Sequence, residues 1–208
     1  MKRKPRLLVA ISLVMLLIAA CKKTEDLPDI KSNNVASTSS EAAVTGNVTY
    51  TLVRSGSPTS TEQAAYTLIT AAMDSAVWYM NHYTTYTKAI TVTYVPSVST
   101  ADGNINGSIR FGSNTYYMNL ATALHEIAHT VGVGTTSVWW NSLIVSGTYT
   151  GTYATQTLRT LTGNSTAVLY GDSQHFWPYG LNYPTEVTSV YDYIYHCQIL
   201  EAMQLDGL

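Results

Sequence analysis

The segment His125-Glu126-Ile127-Ala128-His129 constrains this chain more than any other, because two histidines four residues apart act together only on a helix. On a helix, residues i and i+4 stand one turn above each other, so both imidazoles reach one metal ion. The flanking sequence supports that geometry. Asn119 is placed to cap a helix running from Leu120 to about Val131, and Gly132 supplies a stop. Leu124, Ile127, Ala128 and Val131 form an apolar stripe, with His125, His129 and Gly132 on a separate line beside it. Glu126 projects next to the imidazoles, where a carboxylate can take a proton from a metal-activated water while the metal polarises a scissile carbonyl.

Two histidines do not complete a catalytic zinc site, which usually has three protein ligands and a water. The chain has five histidines. His82 falls near the end of a long helix and His196 within the last helix, neither with a motif around it. His175 lies in Gly171-Asp172-Ser173-Gln174-His175-Phe176-Trp177-Pro178-Tyr179-Gly180, a loop whose aromatic and turn residues are suited to holding a side chain in place. It is the expected third ligand, with Asp172 and Glu186 as competitors. Tyr179 and Tyr183 follow closely, and a tyrosine hydroxyl near the metal can stabilise the oxyanion of a tetrahedral intermediate. Aromatic packing is the competing reading for both. Trp139, Trp140 and Trp177 form either a stacking wall for sugar or peptide, or part of the core.

The stretch from His125 to Thr135 resembles the metzincin pattern HExxHxxGxxH, matching both histidines, the glutamate and Gly132. Thr135 stands where that pattern has its third histidine, and threonine is a poor zinc ligand. Residues 120 to 184 are similar to secreted zincin-like bacterial and fungal proteins. This resemblance implies a zinc metallopeptidase-like domain with zinc bound by His125, His129 and His175, Glu126 as general base, and a protein or peptide substrate, glycoproteins included. It also implies that an edge strand before the metal helix binds extended peptide. Ile109-Arg110-Phe111 is the candidate strand, and Arg110, if it points into the cleft, reads an acidic group on the substrate. The alternative function is a catalytically inactive surface protein that keeps the scaffold and holds a glycan or peptide.

The remaining sequence sets the compartment and the fold. Basic residues Lys2, Arg3, Lys4 and Arg6 precede an apolar run from Leu7 to Ala20, which reads as a signal peptide over residues 1–20. Ile18-Ala19-Ala20-Cys21 resembles the bacterial lipobox, making Cys21 the lipidated residue of an exported lipoprotein held at the outer membrane or cell surface. Residues 21–48 are polar and aperiodic, as in a tether, and residues 49–208 form the domain. With the signal removed, seven basic residues face thirteen acidic ones, a net charge of −6, which argues against nucleic acid. Membrane contact is then through the lipid alone. Cys197 has no partner cysteine in the mature chain, so the domain relies on an ordinary core, and Cys197 is expected to be buried.

Helical spacing predicts a long helix from Glu62 to about Tyr83, capped by Ser60 or Thr61, with Ala65, Leu68, Ile69, Ala72, Met73, Ala76, Val77 and Met80 inward. Strands are expected at Thr49–Val53, Ile90–Val95, Ser108–Phe111 and Thr166–Tyr170, and further helices at Tyr153–Leu161 and Thr188–Leu205. Ala101-Asp102-Gly103-Asn104 reads as loop. Together these predict an α+β, zincin-like fold: a small mixed sheet packed against a long N-terminal helix and the helix carrying the two histidines.

Overall fold

Strand β1, Asn47–Leu52, and strand β2, Thr87–Tyr94, run parallel, and a parallel pair requires a crossover between them. Helix α1, Ser60–Tyr83, is that crossover. The structure is a computed structural model that describes residues 45–208; the expected signal peptide, the lipidation site Cys21 and the tether up to residue 44 lie outside the described residues. Thr59, rather than Ser60 or Thr61, caps α1. Its hydroxyl accepts the Glu62 N–H at 3.2 Å and the Glu62 carboxylate accepts the Thr59 N–H at 2.7 Å. A glutamate three residues into the helix selects the cap through this reciprocal pair. Ala65, Ile69, Ala72, Met73, Ala76 and Met80 are buried as expected, whereas Leu68 is exposed. At 3.6 residues per turn, Leu68 sits roughly 100° from the centre of that stripe.

Strands β3, Ala101–Asn104, and β4, Ser108–Phe111, complete a four-stranded sheet in the order β1-β2-β4-β3. The first three are parallel and β3 is antiparallel at the edge. Two expectations are corrected here. Ala101–Asn104 is a strand, although Ala-Asp-Gly-Asn has little strand propensity; its ladder to β4 and its packing against the next helix decide its state. Ile109-Arg110-Phe111 is consequently an interior strand with partners on both sides, and the edge beside it is β3.

Helix α2, Leu120–Thr130, packs against α1 and β3. Asn119 caps it as expected, its Oδ1 accepting the Thr122 N–H at 3.1 Å. Nine of its eleven residues are buried, including Glu126 and His129. A solvated Glu126 on an ordinary surface helix is thereby excluded.

The second half is built from short pieces. A single π-turn at Trp139–Leu143 leads into β5, Ile144–Val145, which pairs in a meander with β6, Thr148–Tyr149, β7, Tyr170–Gly171, and β8, Phe176–Trp177. Of the expected strand at Thr166–Tyr170 only Tyr170 pairs, because its ladder to Thr148 is one residue long. Helices α3, Thr152–Thr162, and α4, Val190–Leu205, pack on each other at the predicted positions. Gly151 offers α3 no side-chain cap, and the Asp206 carboxylate replaces it by accepting the N–H groups of Tyr153 and Ala154, each at 2.9 Å. Cys197 is buried, its sulfur 3.9 Å from that of Met80. The architecture is α+β, with a mixed sheet against α1 and α2.

Candidate metal centre

His125 and His129 project from consecutive turns of α2, and their Nε2 atoms lie 3.2 Å apart. Each ring is held from behind by a backbone carbonyl: His125 Nδ1 is 2.9 Å from Gly180 O, and His129 Nδ1 is 2.8 Å from Val133 O. A carbonyl only accepts, so both protons sit on Nδ1 and both Nε2 atoms carry bare lone pairs. Burial, with His129 nearby, pushes His125 down to about 3, and burial also lowers His129. Both rings are therefore neutral near pH 7, and two lone pairs face each other at 3.2 Å with no proton to share. A cation between them resolves that repulsion. Two ligands on a tetrahedral ion with bonds of about 2.0–2.1 Å stand roughly 3.3 Å apart, which this pair already matches.

His175 is the third member. Its ring centroid is 5.4 Å from that of His125 and 6.0 Å from that of His129, and one nitrogen of each of the three residues lies within 4.8 Å of the others. Its loop is built to present it. Asp172 Oδ1 accepts the backbone N–H groups of Gln174 and His175, each at 2.7 Å, and stands 3.4 Å from His175 Nδ1. A carboxylate behind a ligating imidazole fixes the ring's orientation. Asp172, considered above as a competing ligand, thus stands behind His175. Glu186 borders the cleft but accepts the Asn182 N–H at 3.1 Å and is not part of the cluster. Trp139 and Trp140 donate their indole N–H groups to the carbonyls of Asp172 and Ser173, at 3.0 and 2.8 Å. Trp139 is fully buried, while Trp177 is exposed and stacks on Tyr170.

The turn leaving α2 explains how the loop reaches the helix. Gly132 and Gly134 adopt φ of 128° and 63°, returning Val133 O to His129 and bringing the chain against Gln174. A Cβ on Gly134 would fall on the Gln174 backbone. Thr135, where the metzincin pattern has its third histidine, donates its hydroxyl to the His129 carbonyl at 2.7 Å. It secures the end of α2, and His175 arrives from the other side.

Glu126 faces the same space from the β3 side. It is buried, and its Oε2 has no hydrogen-bond partner. Burial, aided by the charge of Asp102, pushes its pKa up to about 8. The three imidazoles are the donor set a divalent cation fits, and the Glu126 carboxyl, with one oxygen unpartnered, borders the same cleft. Gly103 makes the approach possible, since a Cβ there would land on the Glu126 carbonyl.

The histidines and Glu126 open into a cleft of about 820 Å³ bordered by Tyr117, Trp177, Tyr183 and the β3 edge. Tyr183 is on its rim. Tyr179 is not: its ring meets Tyr195 on α4, 5.3 Å between centroids, so it is removed from the oxyanion role. Arg110 is corrected as well. Its guanidinium forms two bonds to the Asp102 carboxylate, at 2.8 and 2.6 Å, and Asp102 rather than Arg110 borders the cleft. Sequence reasoning missed Asp102, Gly103 and the Gly180 carbonyl. The Asp172-Ser173-Gln174-His175 spacing did carry a signal, because an aspartate two and three residues before the N–H groups it receives is a turn signature.

No protein family, no curated protein and no solved structure matches this chain at a significant level.

Proposed function

We propose that this chain is a zinc-dependent peptidase of the zincin type, the activity its HExxH segment implies. The observation carrying the reading is the pair of bare Nε2 atoms 3.2 Å apart, fixed by two carbonyls, with His175 completing a cluster of three imidazoles. Three imidazole nitrogen donors suit zinc. His125, His129 and His175 hold the ion, which when bound polarises a carbonyl and lowers the pKa of water. With the charge of a bound cation offsetting the burial that raises its carboxyl, Glu126 is ionised, takes the proton of the attacking water and passes it to the leaving amine. Its buried position keeps bulk water from competing for that proton. Tyr183, one of two tyrosines bordering the cleft with Tyr117, is the side chain assigned to the oxyanion.

The substrate is an extended peptide or protein segment. Among the described residues β3 pairs only with β4, so its outer edge offers unpaired backbone groups beside the cleft. The lipobox-like sequence at Cys21 assigns this activity to the outer membrane or cell surface. The stack of Trp177 on Tyr170, ring centroids 6.3 Å apart and both exposed, favours the second reading, a glycan- or peptide-binding protein without catalysis.

A quenched-fluorescence peptide library separates the two. The peptidase reading predicts cleavage by the full chain that a chelator abolishes and stoichiometric zinc restores. Zinc-loaded protein that cleaves no member of the library overturns it in favour of the binding protein.

A further inference from the structure

One buried histidine has no part in the chemistry above. His196, on α4, is fully buried and stacks on Phe176, ring centroids 5.7 Å apart and planes at 21°. Its Nδ1 lies 2.8 Å from the Tyr179 carbonyl oxygen, so that nitrogen carries the ring proton and donates it. The next carbonyl along the chain, that of Gly180, receives the His125 Nδ1–H. The backbone around these two contacts is strained. Tyr179 and Leu181 have φ of 65° and 56°, left-handed values for residues that are not glycine. Gly180 between them has no room for a Cβ, which would fall on the Phe176 carbonyl. Such a conformation persists only where its surroundings impose it, and strain of this kind concentrates at functional sites. Among the described residues, only two hydrogen bonds reach into the segment from side chains outside it, the one from His125 and the one from His196.

We infer that His196 is a positioning residue for the metal centre: by holding the Tyr179 carbonyl it keeps the Gly180 carbonyl on His125 Nδ1, and so keeps the His125 Nε2 lone pair aimed at the ion. The inference rests on the three-histidine reading for its consequence, but the contact chain from His196 to His125 stands without a metal. It treats α4, distant in sequence from the HExxH segment, as part of the site's support. Outer partners of ligating imidazoles typically change metal affinity by about 10–100-fold when removed.

The test compares substitutions that keep or misplace the donor. His196→Asn keeps an N–H donor near the position of Nδ1, His196→Gln moves it outward, and His196→Phe removes it while preserving the ring stack. Zinc affinity is measured by competition with a chromophoric chelator. The His125 imidazole of chelator-treated protein is followed by long-range proton–nitrogen NMR. We expect zinc binding about 10–100-fold weaker in His196→Phe and His196→Gln, with most of the loss recovered in His196→Asn. In the metal-free protein, the His125 Nδ1 proton is protected from exchange in the parent and in His196→Asn and exchanges rapidly in His196→Gln. If His196→Phe does not fold, the Asn and Gln pair decides. Equal zinc affinity and equal protection of the His125 proton in that pair overturn the inference. A parent that binds no zinc removes the metal reading, yet the proton measurement still tests the link from His196 to His125.

Discussion

Replacing Glu126 by glutamine is expected to lower peptide hydrolysis by about 10²–10⁴-fold, the usual contribution of a positioned general base, while zinc affinity stays within a few-fold of the parent. Glutamine has the size of glutamate and fits the same buried position beside the cleft. It cannot take a proton from water. It also leaves the three imidazoles and their carbonyl partners untouched, because neither the Gly180 nor the Val133 contact involves Glu126. The fold is not expected to suffer. Burial pushes the Glu126 pKa upward, which means that the ionised carboxylate is disfavoured where it sits, and a neutral amide removes that cost. Rates from single-turnover hydrolysis, together with zinc titration of the same sample, check both halves. Full activity in the variant would remove Glu126 from the chemistry, and lost zinc with lost activity would make it a ligand instead.

The second large effect is on the scaffold. Gly134→Val is expected to lower the melting temperature by about 5–15 °C and to weaken zinc binding in the same protein. Two costs add. A β-branched residue at φ near 63° loses about 1–2 kcal/mol from its own backbone, and forcing atoms onto the Gln174 backbone adds about 1–3 kcal/mol. For a domain of this size each kcal/mol is worth about 2–4 °C. The displaced segment carries His175, so the proposed metal site is disturbed through geometry rather than chemistry. Gly147→Val is the control. Gly147 also has positive φ, 80°, but a Cβ there meets nothing within 4 Å, so its melting point falls less and its zinc affinity is unchanged. Equal effects at the two glycines would show that backbone strain alone, and not the close approach to the His175 loop, governs position 134.

The parts of the fold legible in the sequence were those in which a local pattern and the final packing agree. The long helix α1, the capped helix α2 and the closing helix α4 carry apolar residues at helical spacing, and each was placed to within one or two residues at both ends. The sheet edge was not legible. Ala101-Asp102-Gly103-Asn104 has the composition of a turn, and it becomes a strand because Gly103 lets it lie against Glu126 and His129 of α2. Reading that segment as loop in turn left Arg110 on an apparent edge, when its true neighbour is Asp102, eight residues earlier and opposite it in the ladder. In the site, the side chains of α2 were legible because their spacing is itself the geometry. His175 was reachable only by elimination and loop character, and its convergence on α2 depends on contacts across more than forty residues. The carbonyls of Gly180 and Val133 were out of reach altogether, since backbone groups leave no mark in a sequence.

The proposed metal centre is tested most directly by the zinc content of the full chain, purified without a polyhistidine tag, equilibrated with zinc and dialysed, then analysed by elemental mass spectrometry beside a His175→Ala variant. Three convergent imidazoles predict about one zinc per chain in the parent and a loss of most of it in the variant. A parent that retains no zinc would contradict the account, because the facing lone pairs of His125 and His129 would then have to be reconciled without an ion.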